Sequence, residues 1–149
     1  MVAALITDPE GRLLLVRKRG TDRFMQAGGK PEAGETPRRA LVRELSEELG
    51  LDVSERALVP IGPFTTDAAN EPGHRLEAEV FRLPLSAGVA DALEPHAEIE
   101  ELRWCTQRQH RRGRRHEHAR GQQQPAGEHH EPRGAVSYTH LTLPTKRIV

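Results

Sequence analysis

Residues 28–51 read Gly-Gly-Lys-Pro-Glu-Ala-Gly-Glu-Thr-Pro-Arg-Arg-Ala-Leu-Val-Arg-Glu-Leu-Ser-Glu-Glu-Leu-Gly-Leu, a glycine-rich loop followed by one long helical pattern. Thr36 suits a helix N-cap, because its hydroxyl oxygen can accept a first-turn N–H. Pro37 then falls at the first helical position, where its missing N–H leaves nothing unpaired. Gly50 stops the helix, since glycine takes the left-handed C-terminal cap without strain. Between these ends Leu41, Val42, Leu45 and Leu49 share one stripe at 100° per residue, the core face. Glu44, Glu47 and Glu48 share another, at i, i+3 and i+4. Three carboxylates on one face repel, and a solvated acidic face is the ordinary reading. The alternative is a metal site. The Gly28-Gly29-Lys30 loop can bring backbone carbonyls near the stripe, Glu35 adds a fourth carboxylate, and Arg43 is placed to hold Glu47 at i+4. Hard oxygens on a rigid element suit Mg²⁺ or Mn²⁺, which keep waters and bind phosphate oxygens.

Outward from this helix the pattern is β. Val2–Thr7 is an apolar, β-leaning run, and Asp8-Pro9-Glu10-Gly11 is a turn. Arg12–Lys18 holds Leu13-Leu14-Leu15-Val16, a buried strand. Met25–Gly29 leads into the loop. After the helix, Ala57–Pro63 and Arg75–Leu83 are strands, the second with Leu76, Ala78 and Val80 alternating with Glu77 and Glu79. The stretch 67–73 between them is turn-rich. Ile99–Trp104 is the last strand. Strands mixed with one long helix predict an α/β fold with a mixed sheet.

The chain has 149 residues, one domain's worth with a tail. Its formal charge of zero conceals an acidic part and a basic one: residues 1–106 carry 13 basic and 19 acidic side chains, whereas 107–135 carry seven Arg and three Glu. The segment 107–135 contains no Val, Ile, Leu, Met or aromatic residue, so it cannot bury enough apolar surface to offset its ordering entropy, and disorder is expected over 107–149. His110, His116, His118, His129 and His130 in it lack fixed metal-ligand spacing. Residues 136–145, Val-Ser-Tyr-Thr-His-Leu-Thr-Leu-Pro-Thr, resemble the translation of a transposase-type sequencing adapter, so the tail is expected to be non-native. The single Cys105 excludes an intramolecular disulfide framework. No apolar run is long enough for a bilayer and no secretory leader is visible, so a cytoplasmic protein without membrane or specific nucleic-acid partners is expected.

Gly29, five residues, Glu35, seven residues, then Arg43-Glu44-Leu45-Ser46-Glu47-Glu48-Leu49-Gly50-Leu51 match the Nudix box at every fixed position, and the chain from about residue 2 to 105 resembles the Nudix hydrolase family. The resemblance implies an α/β/α sandwich with a mixed sheet and a loop–helix–loop catalytic motif. It also implies a helix after the final strand that covers the sheet; with the tail in its place, the domain is expected to lack that helix and to leave a sheet face uncovered. It implies hydrolysis of a nucleoside diphosphate linked to another group, with Mg²⁺ or Mn²⁺ as cofactor. By motif position Glu44, Glu47 and Glu48 look like the metal ligands, with the Gly28 carbonyl as an extra one. Glu44 or Glu48 would act as base, Arg43 would orient the glutamates, and Gly29, Glu35 and Gly50 would support the site. In some relatives the base lies outside the box, for which Glu94, Glu98, Glu100 and Glu101 are candidates against the plain reading of solvent-facing charges. Arg17, Lys18 and Arg19 (with Arg23) are candidate phosphate contacts at the mouth of the site, and Glu98 a candidate substrate-side carboxylate; a solvated strand end is the plain alternative. Phe24 and Phe64 read as core, with stacking on a base as the alternative, and Trp104 reads as core. The partner expected is a small nucleotide derivative, and a homodimer is common in the family. Two alternatives stand beside the enzyme: a non-catalytic nucleotide-sensing domain of the same fold, and a polyanion-binding protein acting through its basic tail.

Overall fold

The structure, a computed structural model, describes residues 1–67, 75–106 and 137–138. The chain runs β1 (Val2–Thr7), β2 (Leu13–Lys18), β3 (Arg23–Met25), β4 (Gly28–Gly29), α1 (Pro37–Leu49), a 3-10 turn (Glu55–Ala57), β5 (Val59–Asp67), β6 (Arg75–Pro84), α2 (Ala87–Asp91), β7 (Ile99–Cys105) and β8 (Ser137–Tyr138). The sheet is mixed, in the order β5-β6-β1-β2-β3-β8, with β4 on β1 and β7 on β2. β1 runs parallel to β6, Val2 facing Glu79 and Thr7 facing Pro84. β2 is antiparallel to β7, from Leu13 opposite Cys105 to Lys18 opposite Ile99.

The middle of the sheet forks. β1 meets β2 at Thr7 and Leu13. At its other end β1 pairs with β4, Val2 with Gly29 and Ala3 with Gly28, while β2 pairs with β3 at Val16 and Arg17. Residues 23–29 therefore wedge between the two strands and carry the double glycine into the sheet, beneath α1.

Helix α1 forms as its ends predict. The Thr36 hydroxyl accepts from Arg39 N, Pro37 opens the helix, and Gly50 caps it at φ 60°. Leu41, Leu45 and Leu49 pack on Ala4, Ile6, Leu14, Val16, Phe81 and Leu83 to make the main core, with Val42 and Trp104 at its edge. Successive strand residues face opposite sides, so Leu15 points away from α1. There it packs with Phe24 and Cys105, while Ala3, Ala78 and Val80 form a third cluster with Leu5 and Phe64 against it. On the face away from α1, Leu15, Phe24 and Cys105 are each 3% exposed or less.

Several boundaries differ from the sequence reading. The strand expected at 57–63 begins at Val59, after the 3-10 turn, and continues to Asp67. Leu76, expected inward, is exposed; the inward set is Ala78, Val80, Phe81 and Leu83. The turn expected at 67–73 lies almost wholly outside the described residues, as does the tail expected to be disordered, except that Ser137 and Tyr138 pair in parallel with Arg23 and Phe24. No helix among the described residues is long and apolar enough to cross a membrane.

Candidate active site

Arg43 organises the site from the middle of α1. Its guanidinium grips Glu35 with two parallel bonds, Nε to Oε1 at 2.9 Å and Nη2 to Oε2 at 3.0 Å. The same Nη2 donates to the Lys30 carbonyl at 3.1 Å. Nη1 donates to Glu44 Oε1 at 3.0 Å and to Glu47 Oε2 at 3.4 Å. One planar fork, a geometry lysine cannot supply, thereby fastens the loop to the helix and turns two box carboxylates toward each other. The Glu47 contact is the i+4 pair expected from spacing.

Glu35 is held well below the ordinary 4.5, at about 2, by the Arg43 hydrogen bonds and the Glu32 N–H. A depressed acid stabilises the fold above its unfolded value and loses that contribution as pH falls toward its folded one. Urea unfolding of the metal-free protein is therefore expected to show stability declining from about pH 4.5 toward pH 2. Glu35→Gln should make that part of the profile flatter than in the parent.

The three box glutamates sit in unlike surroundings. Glu47 is about half exposed and Glu44 mostly covered. Glu48 is 1% exposed. Its Oε2 accepts from Gly28 N at 3.0 Å, and its buried Oε1 has no hydrogen-bond partner. Burial pushes its carboxyl up to about 7, against the pull of the Gly28 N–H. The sequence placed all three on one stripe, with a solvated face and a metal site both open. Spacing could not reveal that Glu48 is buried with its carboxylate against Gly28 N. Among the described residues no three carboxylates stand gathered around a point ready for an ion.

The donor set nevertheless fits a hard divalent cation. Glu48 offers a buried carboxylate oxygen that lacks a hydrogen-bond partner, an arrangement a fold tolerates only at a cost. Glu44 lies in a cradle above Gly29: a Cβ there would sit 2.2 Å from Glu44 Oε1. Carboxylate oxygens on a capped helix beside a backbone turn are what Mg²⁺ and Mn²⁺ take.

A second segment closes on the same place. The His96 N–H donates to the Glu48 carbonyl at 2.9 Å, and the Arg19 N–H to the Glu98 carbonyl at 2.8 Å. Between them Ala97 has φ 51°, an unusual conformation for a residue with a side chain. A Cβ on Gly50 would meet His96 Nε2 at 2.8 Å, so a side chain there would push the imidazole aside in addition to the strain of a positive φ. The result puts Glu98 beside the box: Lys18 Nζ lies 3.1 Å from Glu98 Oε1 and 3.8 Å from Glu48 Oε1. Arg17, expected at the mouth, pairs instead with Glu100 at 2.7 Å and Glu101 at 3.1 Å. The Arg19 and Glu94 side chains are exposed. Phe24 is core, and Phe64 and Trp104 are partly buried against the clusters.

A profile of the NUDIX domain matches residues 1–126. The chain belongs to the NUDIX domain family. It is 40% identical over 58 residues to an RNA pyrophosphohydrolase of Halorhodospira halophila, a match that covers 39% of this chain and 32% of that protein, so it spans about a third of that relative. It is 32% identical over 112 residues to the CTP pyrophosphohydrolase of Escherichia coli, covering 70% of this chain and 74% of the relative. Among solved structures it resembles the E. coli ORF135 protein, with TM-score 0.52 and 31% identity over 70% of this chain and 71% of that one. It also resembles a UDP-X diphosphatase, with TM-score 0.59 and 26% identity over 72% and 50%.

Proposed function

We propose that the protein is a divalent-metal-dependent pyrophosphohydrolase acting on a nucleoside diphosphate linked to another group. The observation that carries this reading is Glu48, a buried carboxylate with one oxygen held by Gly28 and the other without a hydrogen-bond partner, on a helix whose neighbouring carboxylates are steered by Arg43. In this reading Glu44, Glu47 and Glu48 hold Mg²⁺ or Mn²⁺, and the Gly28 carbonyl is an additional donor. The ion would supply Lewis acidity toward phosphoryl oxygens and offset the charge of the diphosphate.

The chain's own residues supply the rest. Arg43 holds Glu44 and Glu47 through one nitrogen and is occupied by carboxylates, so it positions and does not touch substrate. Gly29 leaves room for Glu44, Glu35 anchors Arg43, and Gly50 seats His96. Glu44 or Glu48 would receive the proton of the attacking water. Of the four glutamates outside the box, Glu98 is the one favoured for the site, since Lys18 links it to Glu48 whereas Glu100 and Glu101 are paired with Arg17. Lys18 and Arg19, and not Arg17, are the cations favoured to meet phosphate.

The test is hydrolysis of a panel of nucleoside triphosphates, CTP included, together with dinucleoside polyphosphates and nucleotide sugars, with Mg²⁺, with Mn²⁺ and with EDTA. Metal-dependent release of a nucleotide from at least one of them is expected. A folded protein that binds nucleotides but turns none over, with either metal, would replace the enzyme by a sensing domain.

A further inference from the structure

The described site holds two cations of different character. Arg43 is fixed by five hydrogen bonds to carboxylates and a carbonyl. Lys18 is a point charge on a flexible stem, its side chain about one-third exposed. Its backbone is anchored: Thr21 N and Thr21 Oγ1 both donate to the Lys18 carbonyl, at 3.1 and 2.9 Å, and the next residue, Arg19, donates to Glu98. Only the stem and the ammonium are left free to move. That ammonium stands 3.1 Å from Glu98 and 3.8 Å from the Glu48 oxygen that has no hydrogen-bond partner. At 3.8 Å it offsets charge without making a hydrogen bond, so it neutralises Glu48 without satisfying it.

We propose that Lys18 is the internal counter-cation of the carboxylate site, and that a divalent ion binds by displacing its ammonium from Glu48 and Glu98. This rests on the reading of Glu44, Glu47 and Glu48 as the cation site. The physical consequence is competition. A dication near Glu48 repels the ammonium at a range where protein charges interact strongly, and the exposed side of Lys18 gives it a way out. Metal affinity is then set below what the carboxylates alone would give, and Lys18 is a positioning residue that holds Glu48 and Glu98 together until the metal arrives.

The sign of one measurement separates this from a structural role. Mn²⁺ alone is titrated into the full-length chain and the free ion is read by its electron paramagnetic resonance signal. Lys18→Met is expected to bind Mn²⁺ about tenfold more tightly than the parent, the effect of removing one nearby like charge. Lys18→Arg, which keeps the charge, should stay within about threefold of the parent. The rise in melting temperature from EDTA to Mn²⁺ should widen in Lys18→Met. Lys18→Gln should repeat the gain if the Met side chain disturbs folding. Unchanged or weaker Mn²⁺ binding in folded Lys18→Met and Lys18→Gln overturns the proposal while leaving the metal site standing. Absence of Mn²⁺ binding by the parent overturns both.

Discussion

Glu48→Gln is expected to abolish turnover and, without metal, to make the protein more stable. The two effects have one cause. The carboxyl is buried and sits near pH 7 because the protein interior opposes its charge. In the unfolded chain it titrates near the ordinary 4.5. Above about pH 7 folding therefore buries a charge, and this destabilisation fades as pH falls through that range and is absent below about 4.5. Glutamine has the same shape, keeps an oxygen for the Gly28 N–H and carries no charge. At pH 8 in EDTA the variant should exceed the parent by an amount on the order of 1–3 kcal/mol, several degrees in Tm. With Mn²⁺ the order should reverse, since only the parent gains a bound ion. Turnover should fall by about 10³-fold or more, as for loss of a general base or a metal-holding group. Calorimetry with and without metal, beside steady-state kinetics, reads all of this. A variant that loses stability in EDTA at pH 8 would show Glu48 to be a structural charge.

The two adjacent glycines should fail in opposite ways when replaced by alanine. A Cβ on Gly28 would lie 2.1 Å from the Val2 carbonyl oxygen and 2.9 Å from Ala3 Cα, at φ 148°. Those are backbone atoms of the central strand β1, which cannot retreat without breaking its pairing with β6. Gly28→Ala is expected to destabilise by about 3 kcal/mol or more, among the larger single-site effects. A Cβ on Gly29 would meet Glu44 Oε1 at 2.2 Å, the far end of a flexible side chain. Glu44 can swing away, so Gly29→Ala should fold with a Tm near the parent's. It should also lose the Arg43–Glu44 contact and bind Mn²⁺ at least about tenfold more weakly. Denaturant curves and Mn²⁺ titration separate the cases. Equal loss of stability in both variants would mean that Glu44 is as rigid as the strand.

Much of α1 was legible because its signals are local. Thr36, Pro37 and Gly50 act within a turn of themselves, and Leu41, Leu45 and Leu49 recur at the helical period. The Arg43–Glu47 pair follows from the same period. What escaped depends on contacts between distant segments. β4, α2 and the 3-10 turn at Glu55–Ala57 are too short for any period to show. Glu48 was legible as a box carboxylate, but its burial against the Gly28 N–H was not. Arg17 and Lys18 are neighbours in sequence, yet they point to different carboxylates because the register of β2 against β7 sets one beside Glu101 and the other beside Ile99. The same register separates Glu98 from Glu100 and Glu101, which no local feature distinguishes.

The parallel pairing of β1 with β6 also bears on how the chain reaches this state. Strand β1 is joined to a neighbour, Glu79–Pro84, that lies far along the chain from it. Loop closure across that separation comes before the contacts reward it. Until then Val2, Ala4 and Ile6, buried in the finished core, belong to an unpaired apolar edge. Assembly of the sheet centre is thus a late step, and β1 is open to intermolecular pairing until it is complete. Slow refolding from urea, with yield falling as protein concentration rises, is the behaviour that topology dictates.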